Sequence, residues 1–214
     1  MIKGVRKRFA ASAAELKKPR VLATIGMLTA LSVILEVFAP INHEWFKINF
    51  AFLPQMAVGL LFGPVAGMVA AIPCDLMGVI ATGKTPIPVF TAIAMLENLI
   101  YGTVLYKCRV QPGGVRVNSG FFVKIAVSRA AAIFFCNVVI NSAVLYYMGF
   151  LPQGTHDKGI RTYLSIRVSK NIIEYPVDIF LALAVLVPIS LIYRKLGGGT
   201  LRNDQNDRNN KNVV

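Results

Sequence analysis

The sequence predicts an all-α integral membrane protein of six transmembrane helices with both termini in the cytoplasm. Three observations predict it. Hydrophobic residues make up 55% of the 214-residue chain and charged residues only 15%, against about 45–50% and about 25% in an average globular chain. Mean hydropathy is +0.59. The 23 Lys and Arg far outnumber the 10 Asp and Glu, and they gather in short clusters between long apolar stretches, as cytoplasmic loops do. A nucleic-acid-binding protein would spread its cations over a solvated face instead. Disorder, collagen and a disulfide-stapled secreted domain are excluded by the same composition.

Residues 1–20 carry Lys3, Arg6, Lys7, Arg8, Lys17, Lys18 and Arg20, with Ile2, Val5, Phe9, Ala13 and Leu16 at helical spacing. This is the pattern of a basic amphipathic helix on anionic lipid. The membrane domain occupies 21–195. The first span, 21–39, is long enough to cross a ~30 Å core and stops at Pro40. After a short polar loop, the apolar stretch from Ile48 is divided at Gly63-Pro64 into helices over 50–62 and 64–81. The first of these is short for a crossing, as helices beside a cavity often are. A fourth span covers 89–106, a fifth 121–148 and a sixth 161–193. The Asn/Asp-rich tail, 196–214, reads as disordered.

Charge sets the orientation. The amino-terminal segment, the loop after span four and the carboxyl-terminal end hold 16 of the 23 cations, and the other loops hold only Lys47, Lys84, Lys158 and Arg161. Six spans put the three basic segments on one side, the cytoplasmic one. The expected location is therefore a cell membrane, crossed several times.

Ionisable groups at bilayer depth are costly and mark function by default. On the last span Arg167, Lys170, Asn171, Glu174 and Asp178 fall on one helical stripe. Two readings stand open: internal pairing of Lys170 with Glu174, or an anion site entered from outside through Arg167 and Lys170. On span five Asn137 and Asn141, with Ser142 beside them, suit either helix-to-helix hydrogen bonds or the polar edge of a heterocycle. Asp75 follows Pro73, and Glu97-Asn98 lies mid-span, where Glu97 is a candidate counter-ion to Arg129. On the first span Ala23, Gly26 and Ala30 include a small-x-x-x-small pair, which permits close helix approach.

Several motifs are declined. Cys74, Cys108 and Cys136 have no C-x-x-C spacing and the histidines are only His43 and His156, so neither a metal nor a cofactor is expected. Gly78 to Thr85 matches G-x-x-x-x-G-K-[ST], but an apolar span precedes it and Pro86 and Pro88 follow. A phosphate loop needs a strand before it and a helix beginning at its lysine. No catalytic constellation stands out, so the chain is not expected to be an enzyme.

The segments Lys47-Ile-Asn-Phe-Ala-Phe-Leu-Pro54, Leu61-Phe-Gly-Pro-Val-Ala-Gly67 and Asp75-Leu-Met-Gly78 resemble the substrate-binding S components of energy-coupling factor vitamin transporters. Leu99-Ile-Tyr-Gly102, Asn137-Val-Val-Ile-Asn-Ser142 and Ile166-Arg-Val-Ser-Lys-Asn-Ile-Ile-Glu-Tyr-Pro176 resemble the folate-specific branch most. The likeness spans roughly 20–195. It implies a subunit that takes a vitamin from outside, joins a transmembrane coupling subunit and two ATP-binding cassette subunits, and topples in the membrane to release cargo. Ala23, Gly26 and Ala30 would form the docking face. Arg167 and Lys170, with Lys84, would suit the carboxylates of folate. Asn137, Asn141, Asn171, Asp75 or Glu174 would suit its pterin, and Trp45, Phe90 or Tyr163 would stack on it. Pantothenate, thiamine or riboflavin remain as alternative vitamins. A lipid-modifying membrane enzyme is a more distant alternative, whose expected His/Asp constellation is missing.

Overall fold

A computed structural model describes residues 2–38, 41–42, 47–83, 85–106, 119–148 and 159–211, with side chains at all of these except 2–5, 7, 41–42, 47–48, 119, 159–163, 166 and 194–211. The fold is helical. In chain order it comprises α1 (Ile2–Glu15), α2 (Pro19–Phe38), the paired strands β1 (Ile41–Asn42) and β2 (Lys47–Ile48), α3 (Phe52–Phe62), α4 (Pro64–Ala81) and α5 (Pro88–Leu105). It continues with α6 (Ser119–Ala131), a π-helical segment (Ala132–Asn141), α7 (Ser142–Tyr147) and α8 (Gly159–Lys211). The two strands form a minimal antiparallel pair, Ile41 opposite Ile48, where the sequence reads as loop.

Among the described residues, five helical stretches are long and apolar enough to cross a membrane: Pro19–Phe38, Pro64–Ala81, Pro88–Leu105, Gly120–Tyr147 and Arg167–Tyr193. The sixth membrane helix is α3, whose 11 residues span only about 16 Å at ~1.5 Å per residue. That shortness is tolerable because α3 is the centre of the bundle. All but two of its residues are buried, and α2, α4, α5 and α8 surround it. Its Phe52, Leu53, Met56, Ala57 and Leu60 pack with Tyr101, Leu105, Phe121, Ile125, Ala182 and Leu186. Outward-facing Met27, Phe38, Ile172 and Phe180 are exposed, as lipid-facing side chains should be.

The chain turns from α3 to α4 at one residue, Gly63, with φ +90°, a conformation that side-chain-bearing residues disfavour. A second glycine sets the close approach of α5. A Cβ on Gly102 would lie 2.3 Å from Pro64 Cα and 2.5 Å from its nitrogen. The Gly63-Pro64 junction therefore packs directly on the α5 backbone.

Both ends of the membrane domain lie beside this junction. Ser12 of α1 hydrogen-bonds Phe62, and the Tyr193 ring meets the Phe62 ring edge-on with centroids 5.6 Å apart. The amino-terminal helix is thus seated on protein through Ser12. The backbone of α8 continues as helix to Lys211, past Leu196, where the composition reads as disordered. Extending a nucleated helix costs far less than starting one.

Candidate functional site

At the opposite end from the termini, the shortness of α3 leaves a cavity of about 450 Å³ above its first turn. Ala51, Phe52 and Gln55 form its floor, with Glu36 from α2, Asp75 from α4 and Ile93, Ala94 and Glu97 from α5. The facing wall comprises Arg129, Ala132, Ile133, Cys136, Asn137 and Asn141, with Arg167, Lys170, Asn171, Glu174 and Asp178 from α8. Small-molecule sites commonly enclose about 300–1,000 Å³. By the charge rule this end faces outside.

The floor is held rigid by amides. Gln55 Nε2 donates to Ser32 Oγ at 3.3 Å and Cys74 Sγ at 3.2 Å, and its Oε1 accepts from Asn98 Nδ2 at 2.8 Å. Cys74 and Cys136 are buried thiols, and no group able to hold a metal occurs among the described residues.

Beside the floor, Arg129 joins three helices. Its Nε and Nη2 donate to Asp178 Oδ2 at 3.1 and 2.9 Å, and its Nη1 donates to Glu97 Oε1 at 3.1 Å and to the Tyr101 hydroxyl. Tyr101 in turn donates to Glu97. The guanidinium also sits 3.9 Å from the Phe52 ring centroid, a favourable cation–π distance. Glu97 is thus an Arg129 partner, as one sequence reading has it, and Asp178 is the second.

The outer wall is set by the π segment. Arg167 Nη1 donates to the Asn137 carbonyl at 2.8 Å, with Asn137 Oδ1 at 3.3 Å and Ser142 Oγ at 3.2 Å. This ties α8 to span five at a wide helical turn, the kind of irregularity that recurs at functional sites. Lys170 Nζ lies 3.6 Å from Glu174 Oε1, so the intrahelical pair forms while both residues still line the cavity. Asp75 Oδ2 accepts from Thr91 Oγ1 at 2.6 Å.

Of the residues singled out in the sequence, the cavity brings together Arg167, Lys170, Asn171, Glu174, Asn141, Asn137 and Asp75. Asn171 also borders an apolar groove of about 340 Å³ between span five and α8. Phe90, in the first turn of α5, is not among the lining residues. Trp45 and Lys84 lie outside the described residues, and Tyr163 lies on α8 where only the backbone is described. Gly78–Thr82 closes a helix, Thr82 N donating to Gly78 O, so the phosphate-loop match has the wrong local structure. Sequence reasoning missed Glu36, Asn49 and Gln55 as lining residues. Glu36 carries its own signal, a carboxylate near the end of an apolar span. Ala23, Gly26 and Ala30 all face outward.

A multi-pass membrane protein with a polar, ligand-sized cavity beyond a short central helix belongs to the class of solute-binding membrane components. Residues 20–186 match the family described as "ECF transporter, substrate-specific component", and the chain belongs to that family. It is a transporter component that works with membrane energy-coupling partners, not an enzyme. Among its relatives is the "Folate transporter FolT" of Clostridium novyi (strain NT), 22% identical over 144 residues, covering 61% of this chain and 84% of the relative. A second is the "Folate transporter FolT" of Leuconostoc mesenteroides, 24% identical over 162 residues, covering 75% and 80%. The fold is shared with "Crystal structure of FolT bound with folic acid", at TM-score 0.61 and 21% identity over 77% of this chain and 91% of that one.

Proposed function

We propose that this chain is the folate-binding subunit of its transporter, capturing folate or a reduced folate from outside and passing it inward. One observation carries the proposal: the cavity gathers cations, carboxylates and amides around one ligand-sized polar space. Arg167 and Lys170 line it from α8, together with Glu174 and Asp178, while Glu36, Asp75 and the Gln55 amide line it from α2–α4. A folate calls for both kinds of partner, with two carboxylates at one end and a donor-rich pterin at the other. Carboxylates pair best with charged donors, and a ring with several N–H groups needs acceptors. The names of the relatives support the same ligand. ATP hydrolysis would come from two cassette subunits through a transmembrane coupling subunit, docked on the outward face at Ala23, Gly26 and Ala30.

The test is binding to purified protein, with mass spectrometry of whatever co-purifies. Arg167→Ala and Lys170→Ala each remove a charge-assisted hydrogen bond of about 1.5–3 kcal/mol, so folate affinity falls roughly 10- to 100-fold. Unchanged affinity in both variants would remove α8 from the site. A second reading follows from the lining itself, which among the described residues holds the carboxylates of Glu36, Asp75, Glu97, Glu174 and Asp178. These carboxylates suit a cationic or donor-rich vitamin such as thiamine or riboflavin, and the anionic pantothenate completes the same titration.

A further inference from the structure

Glu36 is the only Asp or Glu in the 20 residues of α2, and it lines the cavity. Its carboxylate rests on α4 at Gly78. A Cβ built there would fall 2.5 Å from Glu36 Oε2 and 2.9 Å from its Cδ. No side-chain-bearing residue at position 78 leaves the carboxylate where it is. Gly78 is helical and its φ needs no glycine, so space, not backbone freedom, is what the missing side chain supplies. One helical turn earlier on α4, Asp75 lines the same cavity. The Asp75-Leu-Met-Gly78 motif thereby has a physical meaning. Its first residue provides one carboxylate and its last provides the berth for another, brought from α2.

The geometry points to Glu36 as a specificity-determining residue: seated by Gly78 beside Asp75, its carboxylate reads the N–H edge of the ligand's ring. This rests on the folate reading above. In a pterin the 2-amino group and the neighbouring ring N–H form a donor pair spaced like one edge of a guanidinium, and a carboxylate accepts such a pair in two parallel hydrogen bonds. Arg167 and Lys170, on α8, then hold the other end of the molecule. A ring that arrives with two parallel N–H donors offers that carboxylate a paired contact. Removing one partner of such a buried contact leaves the other unsatisfied, which is why polar sites discriminate strongly.

The experiment measures folate and pteroate binding to the full-length protein, pteroate being the same ring system without the glutamate. Glu36→Gln is expected to weaken both ligands by a similar factor, roughly tenfold or more. Gly78→Ala, which displaces the carboxylate while keeping it charged, should reproduce that loss. Wild-type melting behaviour and a single elution peak confirm that each variant is folded. The assignment is overturned if Glu36→Gln leaves both affinities unchanged, or if its loss appears with folate and not with pteroate. A wild-type protein that binds neither ligand overturns the folate reading itself, an outcome distinct from either.

Discussion

Ser12 Oγ donates to the Phe62 carbonyl at 2.7 Å across 50 residues of sequence. The same oxygen accepts from the backbone N–H groups of Val65 at 3.1 Å and Ala66 at 3.2 Å. Those two donors are the second and third helical positions of α4, which an N-cap side chain would ordinarily satisfy. Gly63 occupies the N-cap and has no side chain to offer, since the turn at φ +90° and the pressing neighbours require glycine there. Ser12 supplies the cap from another helix. Arg8 adds a second tie, its Nη1 donating to the Thr103 carbonyl at 3.1 Å in the last turn of α5, where cations suit the helix dipole.

Replacing Ser12 by Ala nearly keeps the volume and removes the hydroxyl. It leaves a carbonyl and two N–H groups without their buried partner, and a lost cap or unsatisfied polar group costs about 1–3 kcal/mol. The variant should melt several degrees lower in detergent while its ligand affinity stays within about twofold of wild type, because the cavity lies at the other end of the bundle. Equal melting temperatures would mean that α1 does not brace the α3–α4 junction.

Arg129 offers a sharper test of what organises the membrane interior. Its side chain is 13% exposed, and that of its partner Asp178 is 7% exposed. Arg129→Met leaves Asp178 and Glu97 as carboxylates without their cation, and breaking a buried pair from one side costs about 3–5 kcal/mol. Neutralising the whole set with Arg129→Met, Glu97→Gln and Asp178→Asn should recover part of that loss, since concerted replacement of buried ions is often nearly neutral. Thermal unfolding of the single and triple variants measures the difference. A single variant as stable as wild type would show that the three groups are not energetically coupled.

How far the sequence spoke for itself depended on how local each signal was. The spans and their orientation were legible because hydropathy and charge clustering are properties of contiguous residues. The stripe from Arg167 to Asp178 was legible because helical periodicity alone places those side chains on one face. Partner choice was not. Arg129 could have met any of several carboxylates, and only the packing of α5, α6 and α8 brings Glu97 and Asp178 to it together. The π segment was also hidden: Ala132–Asn141 is apolar enough for an ordinary helix, and nothing in its composition marks a wider turn. Ser12 does not stand out in the sequence, because a cap supplied across 50 residues has no sequence signature. Gln55 went unnoticed for a related reason. It sits in a helix whose shortness was visible, but whose first turn becomes a cavity floor only when four neighbours surround it.

The outward face of α2 gives a prediction in which stability and function separate. Gly26 is exposed, and a Cβ built on it would meet nothing within 4 Å. Glycine in a helix interior is about 0.8–1 kcal/mol less favourable than alanine, and leucine is nearly as good as alanine. Gly26→Leu should therefore leave the isolated subunit as stable as wild type or slightly more so, with unchanged ligand affinity. A leucine side chain standing up from this face would nevertheless keep another helix from approaching as closely as small residues allow. Folate uptake by cells expressing the complete transporter should consequently be lost, while the purified variant still binds. If uptake survives, the coupling subunit does not dock at Ala23, Gly26 and Ala30. If binding falls together with uptake, the face acts on the cavity through α2, and the loss of transport says nothing about docking.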